Sequence, residues 1–194
     1  MFESEQYRGS DPALRSKNAS MSGALILIGG PGSGKSSVLD ALSTMLEIDQ
    51  VRFGAIETEQ LARGWPWLNA AQWIPQLEAV IELQRRAGRQ TFLVAATPET
   101  EQELRAVVDA VGIEQVVIVC LSAPADLAAG RVADREPDSW PGKLPLVEHA
   151  RKLAREIQSL GGIDLVLSTV DQQAAEVATE VKRLLAVKGI LRAG

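Results

Sequence analysis

Short apolar runs alternate along this chain with stretches of helical spacing, and that alternation narrows the possible folds more than any other feature. Four of the runs are clear: Ala24-Leu25-Ile26-Leu27-Ile28, Phe92-Leu93-Val94-Ala95-Ala96, Val116-Val117-Ile118-Val119-Cys120-Leu121 and Leu165-Val166-Leu167. A fifth, Val51-Arg52-Phe53, is shorter and weaker. A continuous apolar run bounded by turn residues suits a strand covered on both faces. Helical stripes separate the runs. Val38, Leu39, Leu42 and Leu46 fall on one side of a helix over Lys35 to Glu47. Trp73, Leu77, Val80 and Ile81 form the next, which stops at Gly88. Leu104, Val107, Val108 and Val111 follow a Thr97-Pro98-Glu99 start signal. Leu146, Ala150, Leu153, Ile157 and Leu160 mark a longer helix ending at Gly161-Gly162, and Val177, Val181 and Leu184 mark the last. Strands that alternate with helices call for a parallel sheet between two helical layers, a three-layer α/β/α sandwich.

With 194 residues the chain suits one domain, and no repeat or second domain is visible from residue 23 to residue 194. Residues 1–22 have neither helical nor strand periodicity and read as a disordered arm, native or appended. They contain no apolar core of a secretory signal, and nowhere do 18 apolar residues run together, so the expected location is cytoplasmic. A net charge of −5 disfavours broad binding to nucleic acid or to an anionic membrane. The single cysteine, Cys120, lies in an apolar run and reads as a buried small hydrophobe. One Cys and one His rule out zinc fingers and the commonest metal clusters.

The first strand passes directly into Gly29-Gly30-Pro31-Gly32-Ser33-Gly34-Lys35-Ser36, which satisfies G-x-x-x-x-G-K-[ST]. Such a loop wraps backbone N–H groups around phosphate oxygens, and glycine lets the chain turn tightly and approach closely. Gly30, Pro31, Gly32, Ser33, Gly34, Lys35, Ser36 and Ser37 are therefore the expected phosphate-binding residues. Lys35 would reach the β- and γ-phosphates, and Ser36 would offer its hydroxyl to Mg²⁺. The helix that starts here adds its positive end. The loop implies a nucleoside triphosphate.

A guanine-reading Asn-Lys-x-Asp segment is absent, which sets GTPases aside. The third strand ends Ala95-Ala96-Thr97-Pro98 without the carboxylate that ABC and AAA+ ATPases need there, and the chain is too short for an AAA+ lid domain. Acidic residues come instead in Gly54-Ala55-Ile56-Glu57-Thr58-Glu59, just past the weak second strand. Two residues apart on an extended segment, Glu57 and Glu59 would point the same way. The alternative is a solvated acidic pair at a helix start. Arg131 and Arg135, four apart in Ala128-Ala129-Gly130-Arg131-Val132-Ala133-Asp134-Arg135-Glu136, share a helix face.

With these motifs the sequence resembles the small P-loop kinases: the nucleoside-monophosphate, shikimate and gluconate kinases, the chloramphenicol phosphotransferases and the zeta-toxin kinases. The resemblance covers Ala24 to Leu185, and is strongest in the phosphate loop. The chain is also similar to actinobacterial P-loop kinase-like proteins that share its Asp164-Leu165-Val166-Leu167-Ser168-Thr169. The resemblance, together with five runs joined by helical crossovers, implies a five-stranded parallel sheet in the order 2-3-1-4-5 with the loop leaving the central strand. It implies a kinase that uses ATP and Mg²⁺ to phosphorylate a hydroxyl of a small-molecule acceptor, as a monomer or homodimer. One carboxylate after the second strand would orient or deprotonate the acceptor and another would tend the Mg²⁺ shell. Glu59 is set slightly ahead as base and Glu57 as metal partner, though the use of Glu rather than Asp leaves the division open. By the same resemblance Arg131 would lie over the adenine, and Arg135 would contact phosphates near a short lid at residues 134–143. Thr169-Val170-Asp171-Gln172, with Thr169 and Asp171 as contacts, would flank the base.

Between the second and third strands the resemblance implies the acceptor pocket, and Arg63, Trp65, Trp67 and Trp73 fall there. Indole can stack on a ring-shaped acceptor, or cap the local core, which is the reading slightly preferred. Arg85, Arg86 and Arg89 suit the C-terminal dipole of their helix, and His149 reads as a surface residue. A nucleotide-dependent switch without an acceptor is the competing function.

Overall fold

The computed structural model describes residues 23–191; the expectation of a disordered arm at residues 1–22 lies outside them. β1 (Gly23–Ile28) leads through the glycine-rich loop into α1 (Lys35–Ile48). β2 (Phe53–Glu57) is followed by the short α2 (Thr58–Ala62) and by α3 (Ala70–Arg86). Then come β3 (Thr91–Ala96), α4 (Glu101–Val111), β4 (Val116–Ser122), α5 (Ala125–Arg135), α6 (Lys143–Glu156), β5 (Leu165–Ser168) and α7 (Ala174–Val187). All pairs of neighbouring strands are parallel, in the order β2-β3-β1-β4-β5. The expected topology is the observed one, with the loop leaving the central strand.

Alternation along β1 explains the layers. Leu25 and Leu27 enter one apolar cluster with Val38, Leu42 and Leu46 of α1 and Val177, Val181 and Leu185 of α7. Ala24, Ile26 and Ile28 enter the other, with Leu77 and Ile81 of α3 and Leu104, Val107 and Val111 of α4. Each fully buried side chain of this size contributes about 1.5–3 kcal/mol from leaving water, so a strand used on both faces anchors the sheet. The register sets Ile28 beside Ala96 and Cys120, and Glu57 beside Ala95. The carboxyl ends of the strands thus converge on the loop, as parallel sheets arrange their ligand sites.

Several boundaries differ from the sequence reading. The second strand is Phe53–Glu57 and not Val51–Phe53. The Val51 N–H is spent on Leu46 O at the end of α1, and on this edge strand only Gly54 and Ile56 are buried. A half-buried strand ending in a glutamate escapes a search for continuous apolar runs. α4 starts later than the Thr97-Pro98-Glu99 signal: the cap is Thr100, whose hydroxyl accepts from Glu103 N–H. The helix expected to reach Leu160 is α6 plus a 3-10 turn at Ile157–Ser159. No helix among the described residues is long and apolar enough to cross a membrane.

Candidate active site

The phosphate loop is built where β1 stops and α1 has yet to start. Ser33 N–H donates to Gly30 O, closing a turn, and Val38 N–H donates to Gly34 O as the first bond of the helix. Gly32 and Gly34 hold φ of 78° and 91°, values that favour glycine. At Gly32 a Cβ would also meet Ala128 O of α5 at 2.2 Å, so position 32 has neither the backbone freedom nor the room for a side chain. Ser33 Oγ is buried with no hydrogen-bond partner among the described residues, and it lines a small cavity behind the loop with Ser122 and Gln158.

Lys35, only 8% exposed, folds back over the loop and donates to Gly29 O at 2.8 Å and Gly30 O at 3.3 Å. Burial pushes its ammonium below the ordinary lysine value; Glu59, then Glu57, pull it back up, and the charge of Arg135 lowers it further. The donors of Lys35 thus rest on main-chain oxygens of the glycine-rich loop.

The two carboxylates both reach this lysine side of the loop, by a route other than the one the sequence suggested. Glu57 ends β2, whereas Glu59 lies in the first turn of α2, so the extended-segment argument for a common direction does not hold. The strand-to-helix switch brings them together nonetheless. Glu57 Oε2 accepts from Ser36 Oγ at 3.2 Å. Glu59 Oε1 lies 3.6 Å from Lys35 Nζ and accepts from Thr97 Oγ1 at 2.9 Å. They do stand at a helix start, as the competing reading had it, but their partners belong to the phosphate loop and to the residue after β3.

On the other flank, Arg131 of α5 is half-buried and spans three acceptors: Gly32 O at 3.1 Å, Thr169 Oγ1 at 3.1 Å and Thr169 O at 2.9 Å. It straps the loop to the end of β5. Arg135 is mostly exposed and donates to Glu136 at 2.7 Å, close enough to Lys35 for its charge to be felt there. The stretch read as a lid over residues 134–143 begins inside α5 and ends at the first residue of α6, so its loop is residues 136–142. Lys143 pairs with Asp138 at 2.6 Å, and both line an open cleft with Arg135 and Glu136. Ser37 is exposed in the first turn of α1. Asp171 is exposed with φ 54°, and among the described residues no hydrogen bond or ion pair ties it to the loop; Thr169 alone of that segment is brought in.

The three tryptophans between the second and third strands divide. Trp73 packs against the cluster on the α3/α4 face. Trp65 is 99% exposed and Trp67 58%, so neither caps a core. His149 is half-buried, its Nε2 3.5 Å from Glu99 Oε1. Cys120 is fully buried, and its thiol is pushed up to about 11 mainly by that burial. The contact missed in the sequence is Thr97. The signal was present: two residues past Ala95 on the same strand path, it comes out on the loop's side of the sheet.

Similar folds are found among solved kinases. A gluconokinase from Sinorhizobium meliloti has a TM-score of 0.58 and 21% identity over 87% of this chain and 94% of its own. The Mycobacterium tuberculosis APS kinase, solved with AMPPNP and APS, has a TM-score of 0.56 and 20% identity over 84% of this chain and 98% of its own. A shikimate kinase from Acinetobacter baumannii, solved with shikimate, has a TM-score of 0.53 and 14% identity over 88% and 96%. At these identities the likeness concerns the fold. No curated protein gives a significant sequence match. A family match covers residues 25–157 under the description AAA domain. AAA+ ATPases need a carboxylate at the end of the third strand; β3 ends without one, and the carboxylates come from the neighbouring strand and helix. The matched span holds the phosphate loop, both glutamates and both arginines, and on it the chain belongs to the AAA_33 family of P-loop domains.

Proposed function

We propose that the protein is a Mg²⁺-dependent kinase that transfers the γ-phosphoryl group of ATP to a hydroxyl of a small molecule. The observation that carries this reading is Glu59, a half-exposed carboxylate 3.6 Å from the loop lysine. An acceptor hydroxyl entering beside it would lose its proton to Glu59 as its oxygen bonds to the γ-phosphorus. The bond to the β–γ bridging oxygen breaks and ADP departs. A general base in such a position is worth about 10²–10⁴-fold in rate.

Lys35 exchanges its bonds to Gly29 O and Gly30 O for phosphate oxygens, alongside the N–H groups of the loop. Arg135, released from Glu136, spreads over the charge that develops on the transferring group. Arg131 and Thr169 support the nucleoside side, with Asp171 beside them. Closure of residues 136–142 excludes water and limits hydrolysis. Mg²⁺ suits the donors present, because Ser36 Oγ and Glu57 Oε2 form an oxygen pair at the mouth of the loop, and this ion takes few protein oxygens and keeps phosphate and water as its other ligands. Bound there, it would neutralise phosphate charge. Arg63, Trp65 and Trp67 supply a cation and exposed rings to an acceptor of ring-like or anionic character.

Gln variants test the assignment against a switch that merely binds nucleotide. Glu59→Gln keeps size and removes the charge that takes the proton, so transfer, or the slow hydrolysis with water as acceptor, should fall by roughly 10²-fold while ATP affinity survives. Glu57→Gln should cost less, and excess Mg²⁺ should restore part of it. Unchanged turnover in both variants would leave the carboxylates without a catalytic role.

A further inference from the structure

β3 ends Val94-Ala95-Ala96, and Thr97-Pro98 follow. In P-loop nucleotide-hydrolysing folds a strand beside the loop commonly ends on an aspartate that serves the metal. Here that place holds a hydroxyl. Leu93 and Ala95 face the cluster under α1 and α7, so Thr97 continues on the side of α1 and the phosphate loop. Pro98 disfavours helical backbone at the residue before it, which keeps Thr97 on the line of the strand. Its branched side chain has few rotamers to choose from. The donor is therefore rigid, and it meets Glu59 Oε1 at 2.9 Å.

Glu59 itself is poorly held by its own element. α2 is five residues long, and the Glu59 side chain is 48% exposed. Without a partner from the sheet it would range over several rotamers, few of which approach Lys35. We infer that Thr97 is the positioning residue of the transfer site. Its hydroxyl ties the mobile carboxylate to the sheet, as an acidic residue at the end of β3 would otherwise be tied by its own backbone. Thr97 and Lys35 both address Oε1, and among the described residues no donor is bonded to Oε2. That oxygen is the one turned over to the acceptor hydroxyl. The inference rests on the reading of Glu59 as the proton-accepting carboxylate.

The test uses the full chain with Mg²⁺ and ATP, water as acceptor, and AMP-PNP affinity by calorimetry. Thr97→Val removes the hydroxyl and keeps the shape. It should lower kcat by about tenfold, the size of one neutral donor to a charged acceptor, with KM for ATP and AMP-PNP affinity within about twofold. Thr97→Ser should restore most of the rate. In a Glu59→Gln background, Thr97→Val should cost no more than about a further twofold, because its effect runs through the carboxylate. If Thr97→Val does not fold, Thr97→Ala takes its place with the same expectations. Full activity of the valine variant beside a slow Glu59→Gln would overturn the positioning role and spare the base. Multiplying losses in the double variant, or a raised KM at unchanged kcat, would overturn it as well. Full activity of Glu59→Gln would remove the base first, and with it anything for Thr97 to position.

Discussion

Lys35, the first residue of α1, is 8% exposed, and Trp65, on the connection after α2, is 99% exposed. Those two residues mark the halves of the site. The phosphate side is made of main chain and core: β1 is buried from Gly23 to Ile28, and Gly32 is pressed against α5. Arg131 spans α5, the loop and the end of β5. The side proposed for acceptor and lid rests on partly exposed contacts, with Arg135 paired to Glu136 and Lys143 to Asp138. Exposed pairs of this sort contribute about 0–1 kcal/mol each, so they can exchange partners at little cost. On the proposed function, a preformed cradle for the triphosphate stands beside a rim free to rearrange around an acceptor.

The largest effect expected from this contrast is at the rigid end. Lys35→Ala removes up to three charge-assisted donors to the phosphates and should abolish turnover and weaken ATP binding by roughly 10²-fold or more. Calorimetry on the folded variant gives the answer directly. Unchanged ATP affinity would mean that the loop amides hold the nucleotide alone, and the contrast between the two halves would shrink.

The same contrast explains what could be read from sequence. The phosphate side was legible because its determinants are local: a buried strand, glycines at set spacing, then Lys35 and Ser36. The parallel α/β class came from apolar runs alternating with helical stripes, and the order of the strands came from the family resemblance together with those runs. β2 was placed too early because an edge strand with a polar end has no such run. The glutamates were found for a reason that fails, since α2 begins at Thr58 and puts Glu59 on helical backbone. Asp138 acquires its partner Lys143 through loop conformation, which periodicity does not report.

An intermediate effect should appear with pH. In the free protein burial holds Lys35 below the ordinary lysine value. Phosphate oxygens would raise it, because they favour the charged form. Binding then takes up protons on the alkaline side, and ATP affinity falls as pH climbs through the free-state value toward the bound one. The loss should approach about tenfold for each unit that the phosphates restore. Titrations on the alkaline side, up to the ordinary lysine range, would show it. Lys35→Arg, which keeps its charge throughout, should bind more weakly with a flat profile. A flat profile for the unaltered protein would mean that Lys35 is as free to hold its charge as a surface lysine, contrary to the buried cradle.

The smallest expected effect belongs to Trp65. Its indole is 99% exposed, so Trp65→Ala removes almost no buried area, and the stability change should stay within about 0.5 kcal/mol. For a chain of this size that is a shift in Tm of about 1–2 °C. Nucleotide affinity should not move, because the phosphate side is built without this loop. If the ring stacks on the acceptor, KM for that acceptor should rise by roughly threefold to tenfold, the range of one aromatic contact, with kcat little changed. Thermal melts can be run before any acceptor is identified. A fall in Tm of several degrees would return Trp65 to the role of core cap and make the rim a structural element. A change in ATP affinity would tie the rim to the cradle, and the separation between a fixed donor half and an adaptable acceptor half would fail at the residue where it is drawn most sharply.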